Sequence, residues 1–276
     1  MNDTLSREIK AVGEMLKHPR STVLMLHYNM VQFPKNLARV RSEYKTSKGD
    51  HNTIGLLNNT DKANICYNSN ELWPRLGHDY LRHYMVCFST LPDSAINILE
   101  FGCARGDSLR TWEEYFPKAT IYGVDLDPDS KSLETERTHI LVANAVSEDT
   151  FNQLRNNQYH IIIDDASHAW GEQRWTLEHY WELLAPGGYF IVEDLECGAL
   201  GAYAPDYTPE LIDSVPFFDY AVNIAKVLRW PANFDREKQE LTEQYSQKVV
   251  TIRKELDMML LISGAIIMRK KETESK

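Results

Sequence analysis

The chain lacks the features that mark several large classes of protein. Its four cysteines (Cys66, Cys87, Cys103 and Cys197) are widely spaced, with no paired CxxC pattern for zinc or dithiol chemistry. A reduced, intracellular setting suits them. Basic residues are outnumbered, 30 Lys and Arg against 40 Asp and Glu, for a net charge of −10, and they form no basic tract. A nucleic-acid partner is therefore not expected. The apolar run "STVLMLHYNMVQF" is too short and too polar to cross a membrane. Charged residues also interrupt the first 20 positions, where a secretory signal would need an apolar stretch. There is no internal repeat and no low-complexity segment. With 43% hydrophobic residues over 276 positions, the expectation is a cytoplasmic protein with one large domain and an appended cap.

What is present is ordered by position. Residues 1–88 show no clean strand pattern and read as an N-terminal helical cap, its helices joined by a polar loop, "KTSKGDHNTIGLLNNTDKAN". From Ala95 onward short apolar runs alternate with helical ones: "AINILEFG", "ATIYGVDLD", "THILVANAV", "YHIIIDD" and "GGYFIVED". That alternation predicts βαβ units and a parallel sheet with helices on both faces, over a domain at 89–276. "DMMLLIS" and "GAIIMRKK" are separated only by a serine–glycine junction and predict a closing antiparallel hairpin. The fold class is α/β, a doubly wound, Rossmann-like mixed sheet.

The loop after the first strand, "LEFGCARGDSLRTW", lacks the middle glycine of a dinucleotide-binding GxGxxG. It reads Glu100-x-Gly102-x-x-x-Gly106-x-Ser108. Glu100 would repel a pyrophosphate and would suit a ligand that carries an ammonium group. Asp125 ends the second strand, where a carboxylate can accept hydrogen bonds from two ribose hydroxyls. A nucleoside with a cationic amino-acid tail satisfies both, which points to S-adenosylmethionine. The blander reading, glycines for a tight turn and Asp125 as a helix cap, stands beside it.

Asp164 and Asp165 end the fourth strand, and Glu193 and Asp194 end the fifth. Four carboxylates at adjacent strand ends repel unless protonated or bound to a cation, and oxygen donors suit Mg²⁺ or another divalent ion. His168, three positions past Asp165, is the imidazole beside this cluster and the candidate base. For Asp164 the competing role is to bond backbone amides, and for Ser167 to cap the following helix. Trp170 is a candidate sugar contact. Most of Trp175, Tyr180 and Trp181 read as core, and Tyr80 and Tyr84 as one face of a helix.

The chain resembles the class I S-adenosylmethionine-dependent methyltransferases, and within them the macrocin O-methyltransferase type, which act on sugar hydroxyls of macrolides and related natural products. The resemblance runs from about Thr60 to Lys271. Four stretches carry it: "TDK" with "HDYLRHY", "LEFGCARGDSLRTWEEYFPKATIYGVDLDP", "IIIDDASH" and "LLAPGGYFIVEDL". It implies a seven-stranded sheet of order 3-2-1-4-5-7-6 with the last strand antiparallel, a cofactor site over strands one to four, and a divalent metal. It also implies that Asp165, Glu193 and Asp194 hold the metal and that His168 is the general base. The cofactor set is Glu100, Gly102, Gly106, Ser108, Asp125 and Asp164. Asn144 stands where the family has an Asp that meets adenine, and its carbonyl can accept the same hydrogen bond. Ala166 replaces a glycine. The expected partner is a small-molecule acceptor with a hydroxyl, and a homo-oligomer is left open. The alternatives are a phenolic or catechol acceptor, a dinucleotide oxidoreductase, and a non-catalytic nucleotide-binding module.

Overall fold

The computed structural model describes residues 51–63, 65–66, 75–91, 95–195, 197, 215–226 and 246–273. The chain divides into two compact units, Met1–Leu81 and Arg82–Lys276. In the first, helix α1 (His51–Asn58) precedes two short antiparallel strands, β1 (Ile65–Cys66) and β2 (Arg75–Leu76). The sequence reads the α1 stretch as loop. Its polar flanks hide a short apolar core, "TIGLL", in which Ile54 is buried. The helices expected in residues 1–50 lie outside the described residues.

Helix α2 (Leu81–Phe88) leads into the second unit, which is built on seven strands. These are β3 (Asn97–Phe101), β4 (Thr120–Asp125), β5 (Thr138–Val142), β6 (Tyr159–Asp164), β7 (Leu184–Val192), β8 (Leu256–Ile262) and β9 (Ala265–Lys270). Their order is β5-β4-β3-β6-β7-β9-β8. Counted from β3 as the first, that is 3-2-1-4-5-7-6, the expected order. The pairs from β5 across to β7 are parallel, while β9 runs antiparallel to both β7 and β8. The hairpin closes at Ser263–Gly264 with Ile262 opposite Ala265. Gly264 sits at φ 82°, a conformation glycine reaches without penalty.

Between the strands run α3 (Asp107–Tyr115), a 3₁₀ turn (Pro128–Leu133), α4 (Glu148–Leu154), α5 (Trp170–Tyr180), α6 (Phe217–Lys226) and α7 (Gln247–Glu255). Ser147 caps α4 by accepting from Thr150 N. Strand side chains alternate between faces, and the core follows that parity. Leu99 and Phe101, Ile162, Phe190 and Val192, and Ile266 and Met268 join one buried cluster with Tyr180, Trp181, Tyr220 and Val249. Ile98, Ile161, Ile163, Ile191 and Ile267, between them in sequence, are buried too, because both faces of the sheet are covered. The chain winds outward from β3 to β5 in one direction and from β6 to β7 in the other. The crevice between β3 and β6 is therefore the switch point, where such sheets bind ligands beyond their carboxyl ends. Among the described residues no helix is long and apolar enough to cross a membrane.

Candidate active site

A cleft of about 300 Å³ opens at that switch point. Gly102, Asp125, Leu126, Asn144, Asp165 and Glu172 are among the residues that line it. The volume lies at the small end of the range for ligand pockets.

One wall is the loop after β3. Gly102 has φ 83°, and a side-chain carbon there would lie 2.1 Å from the Asp165 carbonyl oxygen. Only glycine lets the ends of β3 and β6 approach so closely. Gly106 caps α3 in a left-handed conformation, and Ser108 is buried in the first turn of that helix. Asp125 ties this loop to the second strand. Its Oδ2 accepts from Cys103 N at 2.7 Å and Ala104 N at 3.1 Å, and its Oδ1 from Asp127 N at 2.9 Å. A carboxylate has about four acceptor sites, so one remains for a ligand hydroxyl. Asn144 Oδ1 accepts from Val146 N at 3.0 Å. Glu100 is fully buried, with its Oε2 accepting from Trp112 Nε1 at 2.7 Å.

The other wall is acidic. The four strand-end carboxylates divide, because consecutive residues face opposite ways. Asp164 turns inward to the hydroxyl of Thr176 on α5. Burial pushes its carboxyl up to about 6, against the pull of Thr176, the Ala166 N–H and His168, with Asp165 adding to the rise. Glu193 is also buried, its Oε1 accepting from Tyr84 OH on α2 at 2.6 Å. Asp165 and Asp194 are half-buried, as is His168, and Asp165 lines the cleft. The ligand atoms of Asp165, His168 and Asp194 all lie within 4.8 Å of one another. His168 Nε2 stands 3.8 Å from Asp194 Oδ2. The two carboxylates offer oxygen donors that a hard divalent cation fits, with the imidazole beside them. Both His168 (φ 58°) and Asp194 (φ 55°) adopt the left-handed backbone. Strain of that kind in non-glycine residues concentrates where function needs it.

The expected residues thus fall into groups. Gly102, Asp125, Asn144 and Asp165 meet at the cleft, and Asp165, His168 and Asp194 meet at the acidic cluster. Glu193 is not among the three clustered residues and is held instead by Tyr84, while Asp164 is held by Thr176. Glu100, Gly106 and Ser108 are not among the residues lining the cleft. Ser167 does not occupy the cap position of α5, which is Ala169; it bonds Glu172 and accepts from Ala169 N. Trp170 and Trp175 pack against the core. Tyr80 precedes α2, so it does not share a helix face with Tyr84. Trp112, Gln173 and Thr176 were not singled out in the sequence. The clue was their periodicity, since polar groups on the buried side of a helix face strand ends.

The methyltransferase-domain family matches residues 99–190. An 8-demethyl-8-alpha-L-rhamnosyl tetracenomycin-C 2'-O-methyltransferase of Streptomyces olivaceus is 29% identical over 171 residues, covering 59% of this chain and 45% of that one. A demethylmacrocin O-methyltransferase of Streptomyces fradiae is 28% identical, covering 51% and 38%. The matched region is thus less than half of either relative. A solved structure of the MycE methyltransferase from the mycinamycin biosynthetic pathway, in complex with Mg, SAH and mycinamycin VI, superposes with a TM-score of 0.61 at 16% identity. It covers 81% of this chain and 55% of that one, a likeness of fold. Residues 99–190 thus match a methyltransferase domain, and by that match and its relatives the chain is similar to sugar O-methyltransferases.

Proposed function

We propose that the protein moves a methyl group from S-adenosylmethionine to a sugar hydroxyl of a glycosylated small molecule. The observation that carries this is the placement of Asp165, which lines the nucleoside-sized cleft and also belongs to the Asp165–His168–Asp194 cluster. Cofactor and acceptor chemistry can therefore meet at one residue. Asp125 and Asn144 would face the nucleoside, and Glu100, fixed by Trp112, would supply negative charge near its ammonium group.

Asp165 and Asp194 would hold a divalent cation such as Mg²⁺, and Glu193 would join them on leaving Tyr84. When bound, such a cation lowers the pKa of an acceptor hydroxyl. His168 takes the hydroxyl proton at Nε2, the nitrogen that faces Asp194. The hydroxyl oxygen attacks the methyl carbon in line, and the carbon–sulfur bond breaks with its electron pair passing to sulfur. The products are the methyl ether and S-adenosylhomocysteine. Asp164, held by Thr176, stays out of this set.

The test is calorimetry followed by turnover. S-adenosylhomocysteine should bind and NAD should not compete. Radiolabelled methyl should pass from S-adenosylmethionine to glycosides with free sugar hydroxyls, fall steeply with EDTA and return with Mg²⁺. Binding of NAD alone would overturn the cofactor reading. Full turnover after exhaustive chelation would remove the metal, and preferential methylation of catechols would change the acceptor.

A further inference from the structure

Helix α5 turns two polar residues inward, Gln173 and Thr176, three positions apart and so on one face. Each is 1% exposed. Thr176 holds Asp164, as described. Gln173 does something the sequence motifs do not announce: its Nε2 donates to the main-chain oxygen of Glu193 at 3.1 Å. Packing alone does not ask for an amide there. Glutamine loses much rotamer freedom on burial, and among the described residues the Gln173 Oε1 finds no hydrogen-bond donor. A methionine would fill the same space with no oxygen left unsatisfied.

The carbonyl that Gln173 grips belongs to the peptide joining Glu193 to Asp194. Asp194 is one of the two clustered residues with left-handed backbone, at φ 55°. A non-glycine residue keeps that conformation only where its surroundings impose it. On the other side of the bend, Leu195 N donates to Gly264 O at 2.9 Å and Cys197 N to Asp194 O at 3.1 Å. The turn is therefore clamped before and after Asp194. We infer that Gln173 is a positioning residue for Asp194, fixing the peptide whose orientation brings the Asp194 carboxylate to His168 and Asp165. What Asp194 is positioned for rests on the proposed cation site; the clamp itself is a property of the main chain.

The test compares Gln173→Met, of similar length with no donor, with Gln173→Asn, which keeps the amide one methylene short. Mn²⁺ affinity is read from the free-ion electron paramagnetic resonance signal, S-adenosylhomocysteine affinity by calorimetry, and the Asp194 and Leu195 amides by ¹H–¹⁵N spectra. Gln173→Met should weaken Mn²⁺ binding about 10- to 100-fold, the usual cost of losing a group that orients a ligand. The two amide signals should shift and the melting temperature fall modestly as one buried carbonyl loses its donor, while S-adenosylhomocysteine affinity holds. Gln173→Asn should fall between, and it carries the comparison if the Met variant does not fold. In an Asp194→Ala background, Gln173→Met should cost no further Mn²⁺ affinity. Wild-type Mn²⁺ affinity with undisturbed amides would overturn the inference. So would a full loss that persists without the Asp194 carboxylate, or a parallel fall in cofactor affinity and melting temperature. If the wild-type protein binds no Mn²⁺ and the amides still shift, the cation reading fails and the clamp stands.

Discussion

The two edges of the parallel sheet are built to different rules. At the carboxyl edge lie Gly102, Asp125, Asp165 and Asp194, with left-handed backbone at Gly102, Ala104, His168 and Asp194. At the amino edge several polar side chains are committed to main-chain groups. Arg137 donates to the carbonyls of Phe116, Ala119 and Glu113 at 3.0, 3.1 and 2.7 Å. Asn97 Nδ2 donates to Gln158 O at 2.9 Å, and Tyr159 OH to Leu154 O at 3.2 Å. The first edge carries left-handed strain around gathered carboxylates, while these side chains of the second satisfy main-chain carbonyls. Strain and like charge persist in a fold only where something else selects them. Substitutions at the carboxyl edge should therefore cost activity, and those at the amino edge stability.

The largest break in that contrast should come at His168. His168→Ala should lower turnover about 10²- to 10⁴-fold, the usual range for a general base, with the melting temperature nearly held, since alanine keeps the same left-handed backbone. A full rate in the alanine variant, measured on an acceptor the wild type methylates, would return this turn to a structural role.

Gly102→Ala tests where the edges cease to be separable. The new methyl would meet the Asp165 carbonyl at 2.1 Å, and the backbone would stay at φ 83°. Overpacking and left-handed strain together should cost about 2–4 kcal/mol, with cofactor affinity lost alongside because β3 and β6 must part. Chemical denaturation and calorimetry read the two effects. Arg137→Met is the counterpart at the amino edge. It leaves three carbonyls near the end of α3 without their donor, at a cost of about 1–3 kcal/mol. Turnover per folded molecule should be unchanged, and a fall in turnover without a fall in stability would erase the distinction between the edges.

Much of this was legible in the sequence. The run of apolar strands gave the parallel sheet, and the serine–glycine junction between "DMMLLIS" and "GAIIMRKK" gave the hairpin, because both signals are local. The carboxylates at the ends of β6 and β7 were visible as a group. Their division was not, since it depends on which partner waits behind each strand: Thr176 for Asp164, Tyr84 for Glu193. Those partners are 12 and 109 residues away in sequence, beyond any spacing rule. Gln173 escaped for the same reason. Helix α1 escaped for the opposite one, as its apolar signal is short and its neighbours are polar.

The smallest expected effect concerns His160, near the amino end of the strand that Asp164 closes at the other. Its Nδ1 accepts from Asn97 N at 3.1 Å, which requires the neutral ring, and burial lowers its pKa below the ordinary histidine value. The unfolded chain titrates its histidines near about 6.5. Below that pH the unfolded state binds a proton that the folded His160 refuses, so stability falls as pH drops from there toward the depressed folded value. His160→Gln removes this contribution and keeps a side-chain acceptor for Asn97 N. Melting temperatures of the two proteins should run parallel above about pH 7.5 and separate below about pH 6.5, with the wild type falling more steeply. Other titrating groups, Asp164 included, are common to both proteins and drop out of the difference. Parallel curves down to acid pH would mean that His160 accepts its proton in place, and that the amino edge tolerates charge as the carboxyl edge does.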